Sequence, residues 1–159
     1  MEELLKVKDA SRRIENMVAG WENVLLGLDE ERITRYRNKQ HRNIKQILGH
    51  LIDSSANNHH RIVRLQYGKR LVFPDYQADN DTWIGIQKYE DKDWYELVQL
   101  WKLYGLHIAF IIRRIEAKDL CNLWTDGFIT PITLEEIASG FPNHFELHLN
   151  EIKELMESK

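Results

Sequence analysis

Apolar residues return along this chain at the interval of an α-helix in four long stretches. Val7, Ala10, Ile14, Met17, Val18, Trp21, Val24, Leu25 and Leu28 form one side of a helix over about residues 4–28, with Lys8, Arg12, Glu15 and Glu22 opposite. Ile44, Ile47, Leu48, Leu51, Ile52, Ile62 and Val63 form the arc of a second helix, from about residue 43 to 67, which Gly68 should end. A third begins after Asp91 or Asp93 and continues to about residue 117. It is apolar on two sides, with Trp94, Leu97, Val98, Trp101, Ile108, Ile112 and Ile115 on one and Leu100, Leu103, Leu106 and Phe110 on the other. The last opens at Thr133, an N-cap with Glu136 at the capping-box position, and carries Leu134, Ile137, Ala138, Phe141, Phe145, Leu149, Ile152 and Leu155 inward. Gly140 and Pro142 should kink or restart it.

Between the second and third helices, residues 69–90 hold the turn residues Pro74, Asp75, Asp79, Asn80, Asp81 and Gly85 among the aromatic Phe73, Tyr76 and Trp83. A connection of this length in a compact domain has a task, and Trp83 is placed to close over a cleft. Asp126, Gly127 and Pro131 mark a second connector, and no sustained strand alternation is present. The economical fold is all-α: one domain over residues 1–159, an up-down-up-down four-helix bundle with a long loop between its second and third helices.

Candidate chemistry centres on histidine. His144 and His148 lie one helical turn apart, about 6 Å between β-carbons, so both imidazoles can reach one ion. They fall at the edge of the apolar stripe, whereas Glu135, Glu146, Asn150, Lys153 and Glu157 face the other way. A third ligand from another helix would make the site chelating, and His50 is the candidate. It lies just beyond the apolar arc of its helix, beside Asp53, Ser54 and Asn57, a polar strip of the kind that lines an interhelical cleft. The competing reading is that each is a core histidine satisfied by a hydrogen bond. His59 and His60 lie more than two turns past His50, His41 precedes the helix, and His107 is on the third helix; these read as structural or surface residues.

Composition narrows the function classes. The chain has 159 residues, 30% charged and 43% hydrophobic, the proportions of a globular domain with a full core. A formal net charge of -3 argues against a general nucleic-acid binder. No apolar run is long enough for a membrane span and no signal peptide is evident, which gives a cytoplasmic expectation. The single cysteine, Cys121, excludes an internal disulfide framework and reads as a small buried hydrophobe.

Gly49-His50-Leu51-Ile52-Asp53, a long loop with Asp79, Asp81 and Trp83, then Thr133-Leu134-Glu135-Glu136-Ile137 leading to His144 and His148-Leu149-Asn150-Glu151-Ile152, resembles the DinB-like/YfiT-like metalloenzyme superfamily from about Val24 to Ile152. The resemblance implies a four-helix bundle whose metal site is a histidine triad, here His50, His144 and His148. The chain departs from the pattern in three places. Leu147 stands where many members have a further histidine, Glu151 stands where many have glutamine, and a glycine-tryptophan stretch is missing around residues 39–41.

Three neutral imidazoles would leave a divalent ion, zinc or nickel, with an open position. Such an ion lowers the pKa of bound water or holds a thiol as thiolate. The resemblance favours a transferase using a low-molecular-weight thiol with a small-molecule substrate, and metal-dependent hydrolysis is the alternative. A non-catalytic metal-binding or interaction bundle is the reading from a different class. Glu151 and Asp53 are candidates for general base or for support of a ligand ring. The second apolar side of the third helix, Leu100, Leu103, Leu106 and Phe110, predicts a homodimer, unless the 69–90 loop folds across it.

Overall fold

The computed structural model describes residues 1–158. Four long helices build the domain: α1 (Glu2–Leu26), α3 (Ile44–Leu65), α5 (Trp94–Ile112) and α6 (Leu134–Glu157), with two short ones, α2 (Glu30–Arg35) and α4 (Asn80–Gln87). The inward stripes read from the sequence are the core. Val7, Ile14, Val18, Leu25, Ile47, Leu48, Leu51, Trp101, Ile108, Phe145, Leu149 and Ile152 are all buried in one cluster. Val24 and Val63 are exceptions, lying at the exposed margin of their stripes.

Side-chain caps fix where the helices begin. The Asn43 side chain accepts from the Gln46 amide while Gln46 returns a bond to the Asn43 amide, and Thr133 and Glu136 form the same reciprocal box on α6. Asp29 caps α2. Gly140 and Pro142 do not restart α6, which continues from Leu134 to Glu157. Phe141, Pro142 and Phe145 are all buried there, and this packing holds the helix across the hydrogen bond that proline cannot donate.

The bundle is the expected one, but its helices do not simply alternate in direction. Helix α1 packs between α5 and α6, and so does α3, which puts α1 and α3 on a diagonal. Helices α1 and α5 are antiparallel: Ser11 Oγ donates to the Ala109 carbonyl and Trp94 Nε1 to that of Leu25. Helices α3 and α5 run the same way. Gly49 meets Tyr89, His59 meets Tyr104, and Asn122, beyond α5, donates to the Leu65 carbonyl. Helix α6 runs with α1, since Arg13 meets Glu146 and Arg32, beyond α1, reaches the carbonyls of Leu155 and Ser158, so the order is up-down-down-up rather than the alternating one expected. Its physical basis is the connection over residues 66–93, long enough to carry the chain back along the whole of α3 before α5 begins; a short hairpin would have forced antiparallel neighbours.

A small sheet closes one end of the bundle: β1 (Arg70–Val72) pairs in parallel with β2 (Leu123–Thr125), which pairs antiparallel with β3 (Ile132–Thr133). These strands were not legible in the sequence, because two or three residues are too few to show a period of two. Cys121, expected inside, is exposed in the turn before β2. No described helix is long and apolar enough to cross a membrane.

The return connection lies against α3, where Tyr89 contacts Asp53, and against the residues leading into it, where Arg42 contacts Asp81. It leaves the second apolar side of α5 uncovered, so Leu103 is 62% exposed, with Leu100 and Phe110 also exposed and Leu106 partly buried. The alternative in which this loop folds across that side within one chain is thereby overturned.

Candidate metal centre

Three rings from two helices meet between α3 and α6. The centroid of His50 lies 4.5 Å from that of His148 and 5.3 Å from that of His144, and the pair on α6 is 4.5 Å apart. Each offers a ring nitrogen, all within 4.8 Å of one another. A tetrahedral ion at about 2.1 Å holds its ligand nitrogens about 3.4 Å apart, a spacing inside the 4.8 Å that bounds the three nitrogens. Among the described residues no other group of three histidine, cysteine, aspartate or glutamate side chains converges in this way.

The surroundings fit a cation. His144 Nε2 is buried without a hydrogen-bond partner, an orphan that a metal would satisfy. The outer nitrogens of the other rings are already engaged. His148 Nδ1 lies 3.0 Å from Glu151 Oε2, and the carboxylate, which can only accept, fixes the proton on Nδ1 and frees Nε2. His50 Nδ1 lies 3.3 Å from the Tyr76 hydroxyl. Burial, reinforced by the neighbouring rings, depresses His50 to about 2 and His144 to about 4. Both are therefore neutral at pH 7, the form in which imidazole coordinates.

Local sequence explains the convergence. Gly49 is bare because the ring of Tyr89 occupies the space its β-carbon would take, 2.1 Å away. The return connection thus seats directly on α3 beside His50. Pro142 is held in the core two positions before His144, and Phe145 and Leu149 bury the adjoining face of α6.

The triad opens onto a cavity of about 490 Å³ between α3, α6 and the segment around residues 75–80, a volume suited to a small molecule. Glu151 borders it. It donates nothing and accepts from His148 and from Asn38 Nδ2, and these bonds hold its carboxyl below the usual range. Asp53 does not border it. Its Oδ1 accepts from the Tyr89 hydroxyl at 2.6 Å and from Gln87 Nε2 at 2.5 Å, while burial raises its pKa. Asp53 therefore ties down the return connection and makes no bond to His50. Trp83 packs on Tyr76, 5.1 Å between centroids, and it is Tyr76 with Asp75 that walls the cavity.

His59, His60 and His107 form a separate group on the α3–α5 side, with His59 3.2 Å from the Tyr104 hydroxyl, and His41 is exposed. Sequence reasoning missed Arg42 and Arg61, which also line the cavity. Arg61 had a readable signal, since it continues the strip of His50, Ser54 and Asn57 by one further turn.

The up-down-down-up bundle with a crossover and an end sheet has a solved counterpart. The fold is that of YfiT. The solved structure of YfiT from Bacillus subtilis superposes with a TM-score of 0.80, covering 93% of this chain and 85% of that one at 17% identity. YfiT is described as a probable metal-dependent hydrolase with an unusual four-helix bundle topology. At that identity the likeness to YfiT establishes shared architecture. No protein-family model matches the chain, and no curated protein matches it in sequence.

Proposed function

We propose that this protein is a metal-dependent enzyme acting on a small molecule, with His50, His144 and His148 holding a divalent ion, zinc or nickel. The observation that carries this reading is the buried, neutral triad with an orphaned His144 Nε2 at the wall of a cavity. A structural site would be closed by a fourth protein ligand, and none stands beside these three among the described residues. When bound, the ion would supply Lewis acidity, lowering the pKa of a coordinated water or thiol. Glu151 keeps the His148 ring in its ligating tautomer, Tyr76 contacts the outer nitrogen of His50, and the cavity admits the substrate from the side away from the core.

Hydrolysis is the first reading, supported by the description attached to YfiT. Transfer of a low-molecular-weight thiol is the second, favoured by a specific observation. Glu151, the carboxylate in contact with the triad, is already committed to His148 and Asn38, which limits its use as a base for water. A thiol is more acidic than water by about seven pKa units and would release its proton to solvent on binding the ion, without such a base. The experiment is a paired assay on zinc- and nickel-loaded protein, with ester and amide hydrolysis in one arm and thiol conjugation to an electrophile in the other. Activity in either arm that disappears in His144→Ala establishes the enzyme and chooses the class. A protein that takes up no divalent metal after untagged purification and reloading defeats the proposal.

We further propose that the protein pairs through α5. Leu100, Leu103 and Phe110 form an exposed apolar strip that nothing among the described residues covers, of the kind that marks an interaction surface.

A further inference from the structure

We infer that the end of the cavity remote from the histidines binds a carboxylate of the substrate, with Arg61 as its anchor. This deepens the metal-dependent reading and rests on it. His50, Ser54, Asn57 and Arg61 occupy one stripe of α3, all bordering the cavity, so the histidines and the guanidinium mark its two ends. Eleven residues separate His50 from Arg61, about 16 Å of helix axis, and the arginine side chain leans back towards the helix N-terminus. A ligand joining the two ends is on the order of 10 Å long.

Arg61 is buried to an unusual degree for its type, with a side chain 8% exposed. Its Nε and Nη2 have no hydrogen-bond acceptor among the described residues. Asp75 Oδ1 lies 2.8 Å from Nη2, which makes an ion pair but not an aligned hydrogen bond. A buried guanidinium normally satisfies its fork with a bidentate carboxylate. Here the protein supplies one off-line oxygen and leaves the rest of the fork without a partner. The guanidinium carbon also sits 3.7 Å from the centroid of the Trp124 ring, whose face holds the planar group in one orientation. Nε and Nη2 are closed to solvent, so an incoming planar anion meets the guanidinium from its remaining nitrogen, Nη1, which makes no hydrogen bond among the described residues. A second orphan, Asn80 Oδ1, is a buried acceptor in the same cavity. The ligand class is therefore a small carboxylic acid.

The test uses zinc-loaded full-length protein and a series of alkyl hydroxamates that end in a carboxylate, with their methyl esters as controls, measured by calorimetry. The hydroxamate addresses the metal, so ester binding reads the metal reading alone. The ratio of acid to ester affinity reads the carboxylate pocket. At one chain length the acid should bind at least roughly tenfold tighter than its ester, the scale of a charge-assisted pair. Arg61→Gln should remove that ratio while leaving zinc content and ester affinity unchanged. Asp75→Asn, which removes the competing carboxylate, should raise acid affinity and leave the ester alone; this variant decides the matter if Arg61→Gln fails to fold. Equal binding of acid and ester at every length overturns the inference while sparing the metal. Binding of acids without esters supports Arg61 and counts against the metal. An acid preference that persists in Arg61→Gln, or absence of binding by both series, overturns the inference.

Discussion

Glu151 accepts a hydrogen bond from the Nδ1 of His148 over 3.0 Å, one helical turn away on α6. The carboxylate thereby sets which nitrogen of the ring is free to coordinate. Glu151→Gln keeps the size of the side chain but loses its charge, and metal affinity should fall about 10- to 100-fold without loss of fold. Competitive titration with a zinc indicator measures this. Unchanged affinity would remove Glu151 from the site.

The triad itself should behave as a unit. His50→Ala, His144→Ala and His148→Ala should each abolish tight retention of a divalent ion, because two imidazoles chelate far more weakly than three. His59→Ala, on the other side of α3, should retain the wild-type metal content. Elemental analysis of untagged protein decides, and equal metal in all four variants would refute the assignment.

Acid should destabilise the metal-free protein before it protonates the site. His50 and His144 are depressed to about 2 and about 4 in the fold, while in the unfolded chain they titrate near 6.5. Above pH 6.5 both states are neutral and the rings cost nothing. As pH falls below that, the unfolded state takes up protons the folded state refuses, so stability falls. The decline is up to about 1.4 kcal/mol per pH unit for each ring, down to about pH 4 for His144 and further for His50. Urea unfolding of metal-free protein between pH 7 and pH 4 tests this, with His144→Gln expected to flatten the slope. A stability that rises on acidification would contradict the burial of the rings.

Gly49→Ala should be costly out of proportion to one methyl group. Its β-carbon would fall 2.1 Å from the Tyr89 ring, so Tyr89 and the Asp53 bond it carries must move. Overpacking of this kind costs about 1–3 kcal/mol. Gly20 on α1 has open space, and Gly20→Ala should stabilise by about 0.5–1 kcal/mol through helix propensity. Thermal unfolding of the two variants should show opposite shifts.

Leu103→Glu tests pairing through α5. The residue is 62% exposed, so a monomer should tolerate the charge and remain folded, while a dimer buried there should dissociate. Light scattering over a dilution series distinguishes them. Wild-type protein that is monomeric at every concentration would leave the strip unpaired and the proposal wrong.

The helices and the triad were legible because both rest on a period of 3.6 residues, which His144 and His148 share with Phe145 and Leu149. The shared direction of α3 and α5 was not, since hydrophobic periodicity marks which face is buried and carries no sign for the direction of travel. Asp53 shows the same limit at one residue. Sequence spacing put it beside His50, but its partner was decided by Tyr89, some 36 positions later. Arg61 could have been found by extending the polar strip one turn. Its lack of an acceptor could not, because that depends on where β2 places Trp124.

The crossover between α3 and α5 divides the labour of the cavity between parts of the chain that can vary separately. The histidines stand on α3 and α6, whose packing into the core leaves them little latitude. Asp75, Tyr76 and Asn80 stand on the returning segment, which is footed on α3 through Tyr89 at Gly49 and Asp53. Exchanges at Asp75 or Asn80 would redraw the cavity wall while Tyr76 keeps its contact with His50. An evolutionary or engineered change of substrate has its natural site there, and the same ion can serve a succession of different walls.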